Sequence, residues 1–192
     1  MNSVTGSTIH SRVNCHNAAA GGIIPGMSAT PLTIISGGQT GVDRAALDVA
    51  LEFGLPRGGF CPRGRRAEDG PIPDRYPLTE LASPEYADRT RKNVEAAAAT
   101  LILHAGEIAG GTRLTVDLCG ELGKPVRTVD VMTAADEAAA ADVADWIRRE
   151  VLHRGGLLNV AGPRESESPG IGARAAALLR RVLPRATTDG AD

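Results

Sequence analysis

The residues best suited to chemistry cluster where short apolar runs give way to glycine. Ser36-Gly37-Gly38-Gln39-Thr40-Gly41-Val42-Asp43-Arg44 is the first such segment. Glycine lets the backbone turn tightly and lets a ligand approach where a Cβ would stand in the way. A helix starting at the end of the segment adds free N–H groups and the positive end of its dipole. Together these favour phosphate or another oxyanion. Gly37, Gly38, Gln39, Thr40, Gly41 and Asp43 are therefore candidate anion-binding residues. The spacing matches neither the dinucleotide fingerprint nor a P-loop, which needs a Gly-Lys-Ser/Thr ending. The plainer alternative is a strand-to-helix turn in which Asp43 only caps the helix.

Three later segments repeat the theme. Cys61 to Tyr76 carries Arg63, Arg65 and Arg66 close together. The guanidinium fork suits phosphate and carboxylate, so Arg63 and Arg65 join the candidates. A solvated loop with Glu68 and Asp69 as partners is the alternative. His104 to Arg113 contains Gly110, Gly111 and Thr112, a second glycine-opened helix start, while His104 itself reads as a packed strand-end residue. Asn159 to Ser166 offers Arg164 and Ser166, against a plain tight turn before the last helix. Tyr86, Arg89, Thr90 and Asn93 fall at three-to-four spacing on one helix face, which puts Arg89 and Asn93 beside the same crevice unless that stripe only meets water.

No nucleophile, base and orienter set is visible, so catalytic residues stay unassigned. Cys15, Cys61 and Cys119 are far apart, and His10, His16, His104 and His153 show no ligand spacing. This pattern argues against a disulfide framework and against a metal site.

Positioning these loops requires strands and helices in alternation. Leu32 to Ser36, Arg57 to Cys61, Thr100 to His104, Pro125 to Val129 and Leu157 to Val160 read as strands. Helices are expected from Gly41 to Phe53, Ser83-Pro84 to about Ala98, Thr112 to Leu122, Thr133 to about Leu152 and Ser168-Pro169 to about Leu183. Thr40 with Asp43, and Thr133 with Asp136, have capping-box spacing. Pro62 to Ser83 has no apolar period, and a structureless loop of that length is usually functional or disordered. The expected fold class is therefore α/β, a Rossmann-like, doubly wound parallel sheet of about five strands in three layers. Its ligand crevice lies outside the carboxyl ends of the strands.

The chain has 192 residues, long enough for one domain and short for two. Residues 1–30, rich in Ser, Asn, Gly and Ala, read as a disordered tail with Met27 as a candidate true start. Residues 31–184 form a single ligand-binding domain, and 185–192 a disordered C-terminal tail. A formal net charge of -2 gives no support for nucleic acid or an anionic membrane as partner. No apolar run approaches the length of a membrane helix. The expectation is a cytoplasmic protein with a small-molecule anionic ligand.

The Ser36–Arg44 segment, together with Cys61 to Gly70, Arg89-Thr90 with Asn93-Val94, Gly110-Gly111-Thr112 and Asn159 to Ser166, closely resembles the “putative molybdenum carrier” family. That family is similar to the YpsA-like branch of the group containing the lysine-decarboxylase-like (LOG) proteins. The resemblance covers about Pro31 to Leu183. It implies a Rossmann-like fold, a homo-oligomer (dimer or tetramer) and binding of molybdenum cofactor (molybdopterin), a pterin with a terminal phosphate and an anionic metal-oxo group. On this carry-over Gly37, Gly38, Thr40, Gly110, Gly111 and Thr112 would cradle phosphate, and Arg63, Arg65, Arg89 and Arg164 would neutralise charge. Two departures matter: the family's acidic residues just before the third strand are replaced by Ala96-Ala97-Ala98-Ala99, and the glycine loop differs. LOG phosphoribohydrolases carry a Pro-Gly-Gly-x-Gly-Thr-x-x-Glu loop with a catalytic Glu, whereas here Gly111-Thr112 is followed by Arg113-Leu114-Thr115. A carrier or storage role is thus favoured. A nucleotide-processing enzyme (N-glycoside or phosphate hydrolysis) using Asp43, Glu107 or Glu165, and a nucleotide-sensing module, remain the alternatives.

Overall fold

Leu101, Ile102 and Leu103 are consecutive and all fully buried. Successive side chains of a strand point to opposite faces, so this strand must be covered on both sides. The computed structural model, which describes residues 31–134 and 137–188, provides that cover. Its strands are β1 (Thr33–Ile35), β2 (Arg57–Gly58), β3 (Phe60–Cys61), β4 (Arg66–Ala67), β5 (Gly70–Pro71), β6 (Thr79–Glu80), β7 (Ala99–His104), β8 (Val126–Asp130) and β9 (Leu157–Ala161). Its helices are α1 (Val42–Glu52), α2 (Tyr86–Ala96), α3 (Gly110–Glu121), α4 (Glu137–Glu150) and α5 (Ile171–Thr187).

The central sheet is parallel, in the order β2-β1-β9-β7-β8. Helices α1, α4 and α5 pack together on one face, where Val49, Val143, Ile147, Leu178 and Val182 meet Ile34, Leu101, Leu103, Leu158 and Val160. Helices α2 and α3 pack together on the other, around Val94, Leu118 and Cys119. This is the expected three-layer α/β fold. If β9 were moved to the front of the chain, the sheet would read 3-2-1-4-5, five of the six strands of the doubly wound dinucleotide-binding order. The order therefore reverses between β9 and β7, and the crevice belongs at their carboxyl ends. No helix of the described residues is long and apolar enough to cross a membrane.

Several boundaries differ from expectation for local reasons. The second strand divides at Gly59, whose φ is +124 and whose missing Cβ would lie 2.2 Å from the Ser36 carbonyl oxygen. Arg57–Gly58 stays in the central sheet, and Phe60–Cys61 leaves it to pair with β6. The segment after it is not structureless, since β4 and β5 form an antiparallel hairpin and β6 returns beside β3. The capping box expected from Thr40 is absent: the Thr40 hydroxyl donates to Glu68 instead. Helix α2 begins at Tyr86, and Ser83 organises the turn before it by accepting the Glu85 N–H at 3.2 Å. Helix α5 begins after Gly170 rather than at Ser168-Pro169, because the Glu165 carboxylate takes the N–H groups of Gly170 and Gly172. It then runs through Pro184 to Thr187, so the polar tail starts later than expected. Leu183 and Ala186 are buried in the core there and hold the last turn in place. Asp136, the proposed N-terminal tail with Met27, and residues 189–192 lie outside the described residues.

Candidate functional site

A cleft of about 240 Å³ opens at the carboxyl end of β9, between the starts of α2 and α3. Ala161 and Gly162 form its floor, and Gly162 is obligatory there, because a Cβ would lie 2.1 Å from the Leu103 carbonyl oxygen. The reversal of strand order thus produces the crevice where topology requires it. Gln39, Asp43, Arg89, Gly111, Thr112 and Arg164, all singled out from sequence, line it. Tyr86 and Thr90 line it from α2, as the shared helix face implies.

The α3 start is open. Arg113 N–H is bonded to the Ala109 carbonyl, but the amides of Gly110, Gly111 and Thr112 ahead of it have no partner among the described residues. No atom lies within 4 Å of the place a Gly111 Cβ would occupy. The first turn of α3 carries no acidic side chain. The Glu167 carboxylate stands beside Gly110, its Oε1 3.9 Å from the place a Cβ would occupy, and is paired with Arg164, so the free amides remain what a small anion binds.

The α1 start is crowded by the protein itself, although the Gly38, Gly41 and Asp43 amides have no partner among the described residues. Gln39 N–H donates to Asp43 Oδ2 at 3.2 Å, Thr40 N–H to Gln39 Oε1 at 3.0 Å, and Val42 N–H to the Pro163 carbonyl at 3.3 Å. Its glycines admit protein rather than ligand. A Cβ on Gly37 would fall 1.4 Å from Arg89 Nη1, one on Gly38 2.4 Å from a Leu78 methyl, and one on Gly41 2.5 Å from the Pro163 carbonyl oxygen. Gly37, Gly38 and Gly41 therefore pack against protein, Thr40 bonds Glu68, and none of the four lines the cleft.

Arg89 lies across Gly37 and donates from Nη1 to Asp43 Oδ2 at 2.8 Å. Both side chains are largely buried, at 15 % and 4 % exposure. Burial pushes the Asp43 carboxyl up from the usual range, against the opposing pull of Arg89 and the Gln39 N–H. Asn93 has a structural task, since its amide accepts the Phe60 N–H at 2.9 Å and donates to the Phe60 carbonyl at 3.0 Å. It replaces a neighbouring strand for β3, and with Gly37 it lines only a small pocket beside the cleft.

The arginine loop is likewise mostly scaffold. Arg65 has a left-handed φ of 49 and donates to the carbonyls of Ile72, Pro73, Tyr76 and Leu78, so residues 72–78 wind around its guanidinium. Arg63 is exposed and does not line the cleft. Arg44 grips Asp69 through both terminal nitrogens, at 2.6 and 2.7 Å. Glu68 reaches over the α1 start, accepting from the Thr40 hydroxyl, the Ser166 hydroxyl and the Ser166 N–H. Burial works against the Glu68 charge, but hydrogen bonds from Ser166 and Thr40, with Arg164 nearby, hold its carboxyl below the ordinary range. Ser166 thus ties the last loop to the Glu68 hairpin. Arg164 does line the cleft, with its Nε 2.9 Å from Glu167.

Residues 34–183 match the circularly permutated YpsA SLOG family. The chain belongs to that family. Its permuted description agrees with the strand order, in which β9 occupies the place of a first strand. No curated protein matches the chain. A solved structure described as “Putative molybdenum carrier protein”, from Syntrophus aciditrophicus SB, is similar to it: 38% identity, a TM-score of 0.71, 81% of this chain and 96% of that one covered.

In this cpYpsA family member Thr115 stands where the LOG-type loop would put its catalytic carboxylate. It lines the cleft and gives its hydroxyl proton to the Gly111 carbonyl at 2.9 Å. Of the other carboxylates considered as acid or base, Glu165 caps α5 and is committed there. No metal-ligating cluster occurs among the described residues. Glu167, missed from sequence, lines the cleft as the partner of Arg164, and its position three residues later was the available signal.

Proposed function

We propose that this protein is a carrier that holds molybdenum cofactor through an anionic group of the ligand, seated at the start of α3. The observation that carries this reading is the set of unused Gly110, Gly111 and Thr112 amides beside Arg89 and Arg164, at the crevice where strand order reverses. Tyr86 lines the same cleft and carries the Arg66 and Arg89 guanidinium groups over its ring, 5.7 and 6.0 Å from the centroid, which holds cations at the site. Asp43 and Glu167 offset the two arginines, so the amides and the helix dipole tip the balance toward an anion. The molybdenum carrier description of the similar solved structure supports the choice of cargo. Thr115 in place of a carboxylate supports holding rather than hydrolysis.

A nucleotide is the second reading, favoured by the crevice position alone, which nucleotides share. Titration of the purified chain with molybdenum cofactor, molybdate, GMP and AMP, followed by calorimetry and thermal melting, separates the two. A binder of the folded state raises the melting temperature in proportion to ligand excess. Saturable binding of the cofactor, weakened at least tenfold by Arg164→Ala, is the expected result. Saturable binding of a nucleotide with none of the cofactor selects the second reading, and no binding by any of the four removes both.

A further inference from the structure

Asp43 lines the cleft although only 3 % of it is exposed. Its Oδ2 is fully engaged, accepting Arg89 Nη1 at 2.8 Å and the Gln39 N–H at 3.2 Å. No described residue commits a donor to its Oδ1. Burial raises the pKa of the carboxyl and the Ser36 hydroxyl, within bonding reach, lowers it, but its one proton is shared with the Val160 carbonyl, which it meets at 2.7 Å, so Oδ1 is left short of a donor. The polar side-chain atoms that are both sealed and unpartnered among the described residues are the Nε atoms of Arg57, Arg89 and Arg127. Asp43 Oδ1 is not one of them, so the oxygen that meets the cleft is the one without a donor of its own. A buried carboxylate oxygen left unpaired is costly, and a bound ligand that donates to it removes the cost.

A metal cation is a poor candidate, because Arg89 already neutralises this carboxylate and Arg164 also faces the cleft. An inorganic oxyanion such as molybdate is a poor one as well, having no N–H to offer and meeting the carboxylate charge. A ring bearing an exocyclic amino N–H fits both ends of the cleft. We infer, building on the anion-cleft reading above, that Asp43 makes the cleft selective for ligands that carry an exocyclic amino N–H donor on a planar ring beside their anionic group. The donor goes to Asp43 Oδ1 while the anion takes the α3 amides. Asp43 is then a specificity residue, and a bare oxyanion fills only half of the site.

The test compares probes that differ by one amino group, using the full chain and calorimetry at neutral pH. GMP against IMP is one pair, AMP against purine riboside monophosphate the other, with orthophosphate as the reference anion. In at least one pair the amino-bearing member is expected to bind about tenfold more tightly. Asp43→Asn should remove that preference. Arg89 and the Gln39 N–H will draw the amide oxygen of the new side chain toward themselves, turning its NH2 to the cleft. Orthophosphate affinity should not fall, because D43N removes the charge that offsets Arg89. Equal binding within both pairs overturns the inference, as does a preference that survives in D43N. So does orthophosphate binding that no nucleotide exceeds, a result that leaves the anion cleft itself intact. If no probe binds, molybdate and molybdenum cofactor included, the cleft reading fails and this inference with it. Should D43N not fold, N2,N2-dimethyl-GMP carries the test on the wild-type chain, where losing both N–H groups must cost the same tenfold.

Discussion

Two glycine-rich segments open two helices on the same edge of the sheet, and they do opposite things. At the α1 start the glycines admit protein: Arg89 fills the space over Gly37, and the loop from Pro163 presses on Gly41. The amides of Gln39, Thr40 and Val42 are consumed by Asp43, Gln39 and Pro163. At the α3 start nothing approaches Gly111, and the first amides point at a cleft. Glycine at a helix start therefore has two meanings, close packing and open access, and only the surroundings distinguish them. The crowded start positions Arg89 and Asp43, and the open one supplies the vacancy.

The largest way to break this contrast is to put a side chain where Arg89 lies. Gly37→Ala would place a Cβ on its guanidinium and eject it, leaving Asp43 buried without its partner. Breaking a buried pair from one side costs about 3–5 kcal/mol. We expect a loss of that order in denaturant unfolding at neutral pH for both Gly37→Ala and Arg89→Ala. The loss should shrink on acidification, because an unpaired buried carboxyl escapes by taking a proton. The same alanine at Gly111 meets no atom and should not destabilise the fold. Equal losses at Gly37 and Gly111 would erase the distinction between the two starts.

A middle-sized effect comes from the Glu68 clasp, which holds only the α1 side. Hydrogen bonds from Ser166 and Thr40 outweigh burial and keep the Glu68 carboxyl below its ordinary range, and the Arg44 hydrogen bond does the same for Asp69. A carboxylate lowered in the folded state contributes stability that is complete above its unfolded pKa and disappears as pH falls through the folded one. Acidification below the ordinary carboxylate range should therefore release the 66–71 hairpin first. The Ser166 amide resonance should titrate there by NMR, and Glu68→Gln should abolish that titration with a stability loss of about 1 kcal/mol at neutral pH. The Gly111 amide, with no acidic side chain in its helical turn, should stay flat over the same range.

The sequence carried the fold well and the site by halves. Alternating apolar runs and helical periodicity lay plainly in the chain, because each depends on neighbours a few positions away, whereas α1, α2 and α5 carry no side-chain cap. The cleft residues Arg89, Gly111, Thr112 and Arg164 were legible as cations and helix starts on one edge. Arg65 and Asn93 have structural tasks that the sequence did not signal, for a common reason. Their side chains do the work of missing backbone partners, for the 72–78 loop and for Phe60, and nothing in residue type separates that from ligand binding. Likewise the space over Gly37 and Gly41 is filled by Arg89 and Pro163, both remote in sequence, so Gly37 and Gly111 looked alike. The strand order, which moves the crevice to β9 and β7, is a long-range property that no local pattern reports.

The smallest stability effect is the most discriminating, because it should have the opposite sign to the effect on binding. Gly111→Asp places a carboxylate in the first turn of α3, in open space and on a backbone without a left-handed φ. A negative charge there compensates the dipole and is worth about 0.3–1 kcal/mol, so the variant should melt slightly higher than the parent. The same charge occupies the position assigned to the ligand's anionic group, so binding of a phosphate-bearing probe should fall at least tenfold. A residue that merely shaped the helix would move both quantities together. If stability rises and affinity is unchanged, the anion sits elsewhere in the cleft, and Arg164 rather than the α3 amides becomes its anchor.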